Sequence, residues 1–347
     1  MKKTVAAAIF LVIISGFLFL LNYFKVDIPF VKFGFRAKSV AEFSIGIFSG
    51  TDPFHLSETN AVINPAIMSS DVADIKAQAV ADPFMLYDSD QWYLFCEVID
   101  AKTQKGRIGC FTSKNALEWQ YRRIVLEEPF HLSYPYVFSD GGAFYMIPES
   151  HQVKSVRLYK AKKFPTDWQL DSVLLTGLDF SDSSIVKYRG KWWLFTETAA
   201  HGFGTLRLYY ADELRGPWRE HPRSPVVDEN ENIARPGGRV FVYDGSLFRC
   251  TQDDTPTYGN QVRVFQIDRL TPDDYAEHEH IGSPVLESRK SYGHKVRLAN
   301  WRSGGMHTLD PHEDGNGAWI ACVDGVTRTV TSRQLVLTIE FPIYKNK

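Results

Sequence analysis

The chain has 347 residues, of which 44% are hydrophobic and 23% charged, a balance too apolar for a disordered segment and too mixed for a fibrous one. Its 39 Lys and Arg against 41 Asp and Glu leave a net charge of −2, so no basic field draws in a phosphate backbone, and nucleic acid is not an expected partner. Aromatic residues make up 14% of the chain, which suits β-sheet packing and the apolar faces of sugar rings equally well.

Lys2 and Lys3 precede an uncharged run from Thr4 to Tyr23. At ~1.5 Å per helical residue such a run spans about 30 Å, the hydrocarbon thickness, and it exceeds the apolar core of about 7 to 15 residues in a cleaved signal peptide. The sequence therefore predicts one N-terminal transmembrane helix, an uncleaved anchor within residues 1–25, followed by a linker over 26–42. Lys2 and Lys3 nearly balance Lys25, Lys32, Arg36 and Lys38 across the run. A short amino tail with an adjacent basic pair places the large domain on the non-cytoplasmic side.

Beyond the linker the sequence repeats. Arg107-Ile-Gly-Cys-Phe leads to Trp119, Arg157-Leu-Tyr-Lys-Ala to Trp168, Arg207-Leu-Tyr-Tyr-Ala to Trp218, and Arg263-Val-Phe-Gln-Ile to Tyr275. A hairpin precedes each: Pro83 to Tyr87 with Trp92 to Cys96, Tyr136 to Ser139 with Ala143 to Ile147, Ile185 to Tyr188 with Lys191 to Phe195, and Val240 to Tyr243 with Ser246 to Cys250. Their turns (Asp88-Ser-Asp, Asp140-Gly-Gly, Arg189-Gly, Asp244-Gly) hold residues that tolerate positive φ. A short apolar stretch after each aromatic, such as Ile124-Val-Leu or Val173-Leu-Leu, completes four strands.

Four-stranded units at this period bury their faces only against one another around a ring, which predicts an all-β five-bladed β-propeller with four-stranded blades over residues 43–345. A pair of β-sandwiches is the alternative. A fifth hairpin, His307-Thr-Leu with Ala318 to Cys322, takes its outer strands from the other end of the domain, Ser44 to Phe48 and Val62 to Ala66. The repeated arginines and tryptophans read as framework, a guanidinium on a neighbouring carbonyl and an aromatic wedged between blades. Cys96, Cys110, Cys250 and Cys322 read as buried small hydrophobes rather than a disulfide framework, and no CxxC points to structural zinc.

Residues that break the repeat are the candidates for a site over the central channel. Asp82, Tyr134 and Asp182 open the first three inner strands, and fifteen positions later stand Glu97, Glu149 and Glu197, so each pair meets across its hairpin on one rim. Carboxylates so close raise some of each other's pKa values. Blades four and five add Ala234-Arg235-Pro236-Gly237-Gly238 and Gly304-Gly305-Met306-His307-Thr308-Leu309-Asp310-Pro311-His312, whose glycines would let a ligand approach the backbone. His307 and His312 with Asp310 between them would suit a metal, but hydrogen-bonded histidines are the preferred reading, and neither a metal nor a cofactor is expected. Salt bridges to basic residues, the repeated arginines among them, are the structural reading of Glu97, Glu149 and Glu197.

Ala81-Asp-Pro-Phe-Met, Glu128-Pro-Phe-His-Leu-Ser-Tyr-Pro-Tyr-Val-Phe, Tyr145-Met-Ile-Pro-Glu-Ser, Lys191-Trp-Trp-Leu-Phe, Gly216-Pro-Trp, Ala234-Arg-Pro-Gly-Gly-Arg and Trp319-Ile-Ala-Cys-Val-Asp-Gly carry a resemblance. Through them residues 44–325 resemble the amino-terminal propeller domain of glucosamine inositolphosphorylceramide transferase and its free-standing relatives. In the full transferase a separate carboxyl-terminal domain is expected to perform sugar transfer, and this chain stops near the end of the propeller. More distantly the blades resemble five-bladed glycoside hydrolases of the arabinanase, xylosidase and invertase clans, in which an acidic residue opens each of blades one to three. Asp82 matches the first position, Tyr134 departs from the second, and Asp182 stands where a glutamate is usual.

The resulting expectation is a membrane-anchored carbohydrate-active propeller acting on a glycan or glycoconjugate with glycoside-hydrolase-like chemistry. Asp82 is the base, Asp182 or Glu197 the acid, and Tyr134, Glu149, Glu97, Arg235, His307 and Asp310 bind substrate. The alternative is a non-catalytic glycan-binding or accessory module working with a separate glycosyltransferase. Sugar transfer within the propeller ranks third, since no Gly-rich phosphate loop or Asp-x-Asp motif is present in a suitable context.

Overall fold

The computed structural model describes residues 31–198, 204–288, 301–315 and 317–339, with side chains for those between 41 and 327. The predicted anchor over 1–25 lies outside the described residues, among which no helix is long and apolar enough to cross a membrane. Two units are distinguished, residues 41–328 and a smaller one formed by 1–40 with 329–347. In the smaller unit the described backbone is extended, as the start of one strand and the end of another.

Strand β1 (Val31–Gly50) begins inside the span read as a linker, and β2 (Leu56–Ser57) follows it. The first blade is β3 (Ala77–Asp88), β4 (Gln91–Asp100), β5 (Gly106–Ser113) and β6 (Gln120–Leu126), paired in that order. The second is β7 (Ser133–Asp140), β8 (Ala143–Glu149), β9 (Ser155–Lys163) and β10 (Asp167–Thr176), and the third β11 (Phe180–Tyr188), β12 (Lys191–Thr198), β13 (Leu206–Ala211) and β14 (Arg219–Glu220). The fourth holds β15 (Phe241–Tyr243), β16 (Ser246–Asp253), β17 (Gln261–Leu270) and β18 (Tyr275–Glu279), with β19 (Leu286–Glu287) also on β17. In the fifth, β20 (Leu309–Glu313) and β21 (Trp319–Ile339) are completed by β1 and β2, in the order β2-β1-β21-β20. The ring thus closes with strands from both ends of the chain. Its outermost strand is Leu56–Ser57 rather than the expected 62–66 stretch, whose end meets β1 through a single bridge from Ile45 to Ile67.

Local chemistry explains the inner hairpins. Ser89 and Asp90 have φ of 50° and 55°, Gly141 and Gly142 56° and 76°, Arg189 and Gly190 50° and 78°, and Asp244 and Gly245 46° and 73°. Two consecutive left-handed residues match the right-handed twist of the strands they join. The core then lies between blades. Phe84, Phe95, Tyr136, Tyr159 and Trp192 join blades one to three, and Trp193, Phe195, Leu208, Leu247 and Ile267 join three to four. Phe48, Phe241, Cys250 and Val323 join four to five, while Ile45, Ile47, Phe111 and Cys322 join five to one.

The repeated Arg and Trp residues are framework, with different partners from those expected for the guanidinium. Arg107 pairs with Asp100 at 2.9 Å, Arg207 with Glu220 at 2.6 Å and Arg263 with Glu279 at 2.7 Å, while Arg157 donates to the Ser155 hydroxyl. Carboxylates and a hydroxyl thus stand in for the carbonyl. The indoles of Trp119, Trp168 and Trp218 each donate to a carbonyl three or four residues earlier, Ala116, Pro165 and Leu214. All four cysteines are buried and unbridged.

Candidate functional site

The same kink recurs on three inner strands, near the start of β7 and β11 and midway along β3, whose pairing runs back to Ala77. Ala81 faces Glu97, Ser133 faces Glu149 and Ser181 faces Glu197, and directly after each first member the register slips. The slipped residues are Asp82, Tyr134 and Asp182, at φ of 51°, 44° and 49°. A left-handed backbone at a residue with a Cβ costs on the order of 1 to 3 kcal/mol and persists only where its surroundings enforce it. Each is enforced by an acid on a neighbouring blade. The Asp82 amide donates to Asp324 at 3.1 Å, the Tyr134 amide to Asp82 at 3.2 Å, and the Asp182 amide to Glu149 at 3.2 Å.

Arg235 is the hub of the charges. Its Nε donates to Asp182 Oδ2 at 2.7 Å, and the guanidinium lies 3.7 Å from Glu149 and 3.9 Å from Glu197. Gln252 donates to the same Asp182 oxygen at 2.6 Å, while Asp182 Oδ1 is buried with no hydrogen-bond partner among the described residues. Tyr258, 42% exposed, carries its ring 5.3 Å from the Arg235 guanidinium and meets the His307 ring edge-on at 5.3 Å. On the outer side, His131 contacts Glu97 at 2.9 Å and His151 contacts Glu149 at 2.7 Å.

These surroundings push the carboxylates apart. Burial raises Asp82 to about 7, against the pull of His307 and with a further push from Glu97. Burial likewise holds Asp182 well above the carboxylate range despite Arg235, and raises Glu197. Glu149 goes the other way: burial is outweighed by His151 and Arg235, which draw it down to about 2. Groups whose environments separate them in this way can serve as proton donor and acceptor at one pH.

Asp82, Glu97, Glu149, Asp182, Glu197, Arg235 and His307 are therefore brought together, and the acids meet basic partners other than the repeated arginines. Two further candidates sit elsewhere. Tyr134 is fully buried, and its hydroxyl is spent inside the protein on Ser184 at 2.9 Å, the Gly238 carbonyl at 2.9 Å and the Gly238 amide at 2.6 Å. Asp310, three residues beyond His307 on the inner strand, pairs with Arg239 and His312 and accepts the Met85 amide. The glycines do not open a path for a ligand. A Cβ on Gly238 would lie 1.8 Å from the Leu309 carbonyl oxygen and one on Gly305 1.9 Å from that of Gly259, so they admit neighbouring backbone.

Asp324, Gln252, Tyr258, His131 and His151 were not singled out from sequence. Asp324 had a signal, because it follows Trp319 at the spacing by which Glu97 follows Trp92. Asp82, His307 and Asp324 offer ligand atoms within 4.8 Å of one another, a donor set of the type that holds a divalent ion. The Asp324 oxygens, however, already accept the amides of His307, Thr308 and Asp82 and the His307 ring, so the lone pairs a cation needs are taken by hydrogens.

Residues 36–326 match the family described as glucosamine inositolphosphorylceramide transferase 1, N-terminal. Curated relatives include glucosamine inositolphosphorylceramide transferase 1 of Oryza sativa subsp. japonica, 33% identical over 342 residues, covering 92% of this chain and 45% of the relative. The protein of the same name from Arabidopsis thaliana is 34% identical over 312 residues, covering 84% and 40%. The chain thus spans less than half the length of these relatives. Among solved structures, a thermostable family-43 glycoside hydrolase superposes with a TM-score of 0.52 at 15% identity, over 82% of this chain and 98% of that one. The catalytic domain of a Coprinopsis cinerea GH62 alpha-L-arabinofuranosidase gives 0.51 at 12%, over 73% and 92%. At such identities the likeness is one of fold alone.

Proposed function

The chain belongs to the glucosamine inositolphosphorylceramide transferase 1 amino-terminal family, and on that premise we propose that it is a carbohydrate-active propeller that cleaves a glycan or glycoconjugate by acid and base catalysis at the Arg235 hub. The observation that carries this reading is the convergence of the buried carboxylates of Asp182, Glu149 and Glu197 around one guanidinium, with Asp82, raised to about 7 and so part-ionised near neutral pH, close enough to feel the same cation, and the part-exposed Tyr258 ring beside them to stack on a sugar.

In this reading Asp82 takes a proton from water as its oxygen attacks the anomeric carbon. The glycosidic bond breaks with its electron pair on the leaving oxygen, which receives the proton of Glu197. Asp182, held in turn by Gln252, fixes Arg235, which with His307 holds sugar hydroxyls. The apolar run from Thr4 to Tyr23 anchors the propeller in a membrane, with the sugar site on the non-cytoplasmic face. Protease protection of the intact chain in sealed vesicles tests that orientation, and digestion of the propeller from the cytoplasmic side would reverse it.

The chemical test incubates the full chain with a panel of glycans and glycolipids and measures released reducing ends, alongside binding on a glycan array. We expect release by the wild type and none by Asp82→Asn, with binding retained. Equal rates in the two proteins would remove the assignment. The seating of Tyr134 favours a second reading, because an internally bonded phenol stands where the hydrolase pattern places an acid. In that reading the propeller binds a glycan for a glycosyltransferase, and wild-type binding without any release selects it.

A further inference from the structure

Asp324 takes no part in the proposed hydrolysis. It is fully buried, and its two oxygens accept four hydrogen bonds from two sides of the seam where the last blade meets the first. Oδ1 accepts the amides of His307 at 3.0 Å and Thr308 at 3.1 Å; Oδ2 accepts the Asp82 amide at 3.1 Å and the His307 Nδ1 hydrogen at 2.6 Å. Thr308 in turn donates its hydroxyl to Asp82 Oδ1 at 3.1 Å. One carboxylate therefore grips Asp82 through its strained backbone and, by way of Thr308, through its side chain. The His307 ring is packed between Phe43, stacked at 4.8 Å, and the edge of Tyr258, and Gly259 leaves it room, since a Cβ there would come within 3.1 Å of the ring.

We propose that Asp324 is the positioning residue of the site, holding His307 as a doubly protonated donor beside Asp82 and locking the left-handed backbone from which Asp82 acts. This rests on the proposed use of Asp82 and His307, and extends it to a residue that touches no substrate. A buried acid on Nδ1 leaves the Nε2 hydrogen as the one the ring can offer a ligand. The groups that face His307 are Asp324 from β21, Asp82 from β3, Asp182 from β11 and Tyr258 from the loop after β16.

The test is nitrogen NMR of the full chain labelled with ¹⁵N-histidine, His307 being assigned by its loss in His307→Gln. The wild type should show both ring nitrogens of His307 protonated at pH 7.5, and Asp324→Asn should lower the proton affinity of that ring at least tenfold. A His307 that is neutral in the wild type at pH 7.5, or an unchanged titration in Asp324→Asn, would overturn the proposal. If Asp324→Asn does not fold, the wild-type measurement still tests the proposal, because a neutral His307 at pH 7.5 overturns it. Because the readout needs no turnover, it separates from the hydrolysis assay: loss of glycan release in Asp82→Asn concerns the function, and the state of His307 concerns Asp324.

Discussion

Two layers of the same axis treat buried charge differently. In the lower layer Arg239 meets Asp310 directly, donates to the carbonyls of Met85 and Val137 at 3.1 Å each, and lies over the Tyr136 ring at 4.9 Å, so its charge and hydrogens are matched. About three residues earlier along the inner strands stand Asp82 and Asp182, which with Glu97, Glu149 and Glu197 of the adjoining strands share Arg235 and His307 with two further histidines, and one oxygen of Asp182 has no hydrogen-bond partner among the described residues. A balanced buried pair closes a structure, whereas a surplus of buried acids destabilises it and is expected where a site works on a ligand.

Substitutions in the two layers should therefore differ in kind. The largest effect is expected from Asp82→Asn, which removes the base and should lower turnover by about 10² to 10⁴-fold. The same change should stabilise the fold at alkaline pH. Because the folded pKa of Asp82, about 7, lies above the unfolded value of 3.8, the folded state holds this proton more tightly, and stability is lost as pH rises from 4 through 7. Thermal melts should show Asp82→Asn gaining a few degrees over wild type at pH 8 and nothing at pH 4; a gain of the same size at both would contradict the burial of that charge.

In the lower layer, Arg239→Met takes the guanidinium from the buried Asp310 carboxylate, leaving it His312 and the Met85 amide, and should cost about 3 to 5 kcal/mol in denaturant unfolding. A loss below about 1 kcal/mol would make the two layers alike. Tyr134→Phe leaves the Gly238 amide without its acceptor and should cost about 1 to 3 kcal/mol, with glycan release within threefold of wild type. A hundredfold loss of release in a folded Tyr134→Phe protein would instead bring that hydroxyl into the chemistry. The smallest effect is expected on the outer strands, where Arg207→Gln breaks a half-exposed pair with Glu220 and should change stability by no more than about 1 kcal/mol.

The fold was legible because its determinants are local and repeated. Paired turn residues such as Asp244-Gly245, apolar runs such as Lys191-Trp-Trp-Leu-Phe and the Arg-to-Trp spacing each act within a few residues. The turn at Ser89-Asp90 sets the pairing as far as Phe84 with Phe95 and predicts Asp82 opposite Glu97; the slip after Ala81, of which the local sequence gives no sign, puts Ala81 there instead. What misled the reading of the glycines is that Gly238 and Gly305 serve a neighbouring backbone, a demand no local pattern displays. Tyr258 carried no signal, since a tyrosine on a loop looks the same wherever its ring comes to rest.

Composition and period by themselves determined an all-β ring of five blades, its closure by strands from both ends, and the residues that break the repeat on three inner strands. Strand alternation and turn chemistry act over distances the chain spans in a few residues. Only the tertiary structure decided which acid meets which base. The contacts that make the site join Arg235 to Asp182 across 53 positions, Tyr134 to Gly238 across 104 and Asp82 to Asp324 across 242. Such pairings depend on how the closed ring turns its inner strands toward one another, and on hydrogen-bond distances that no spacing in the sequence encodes.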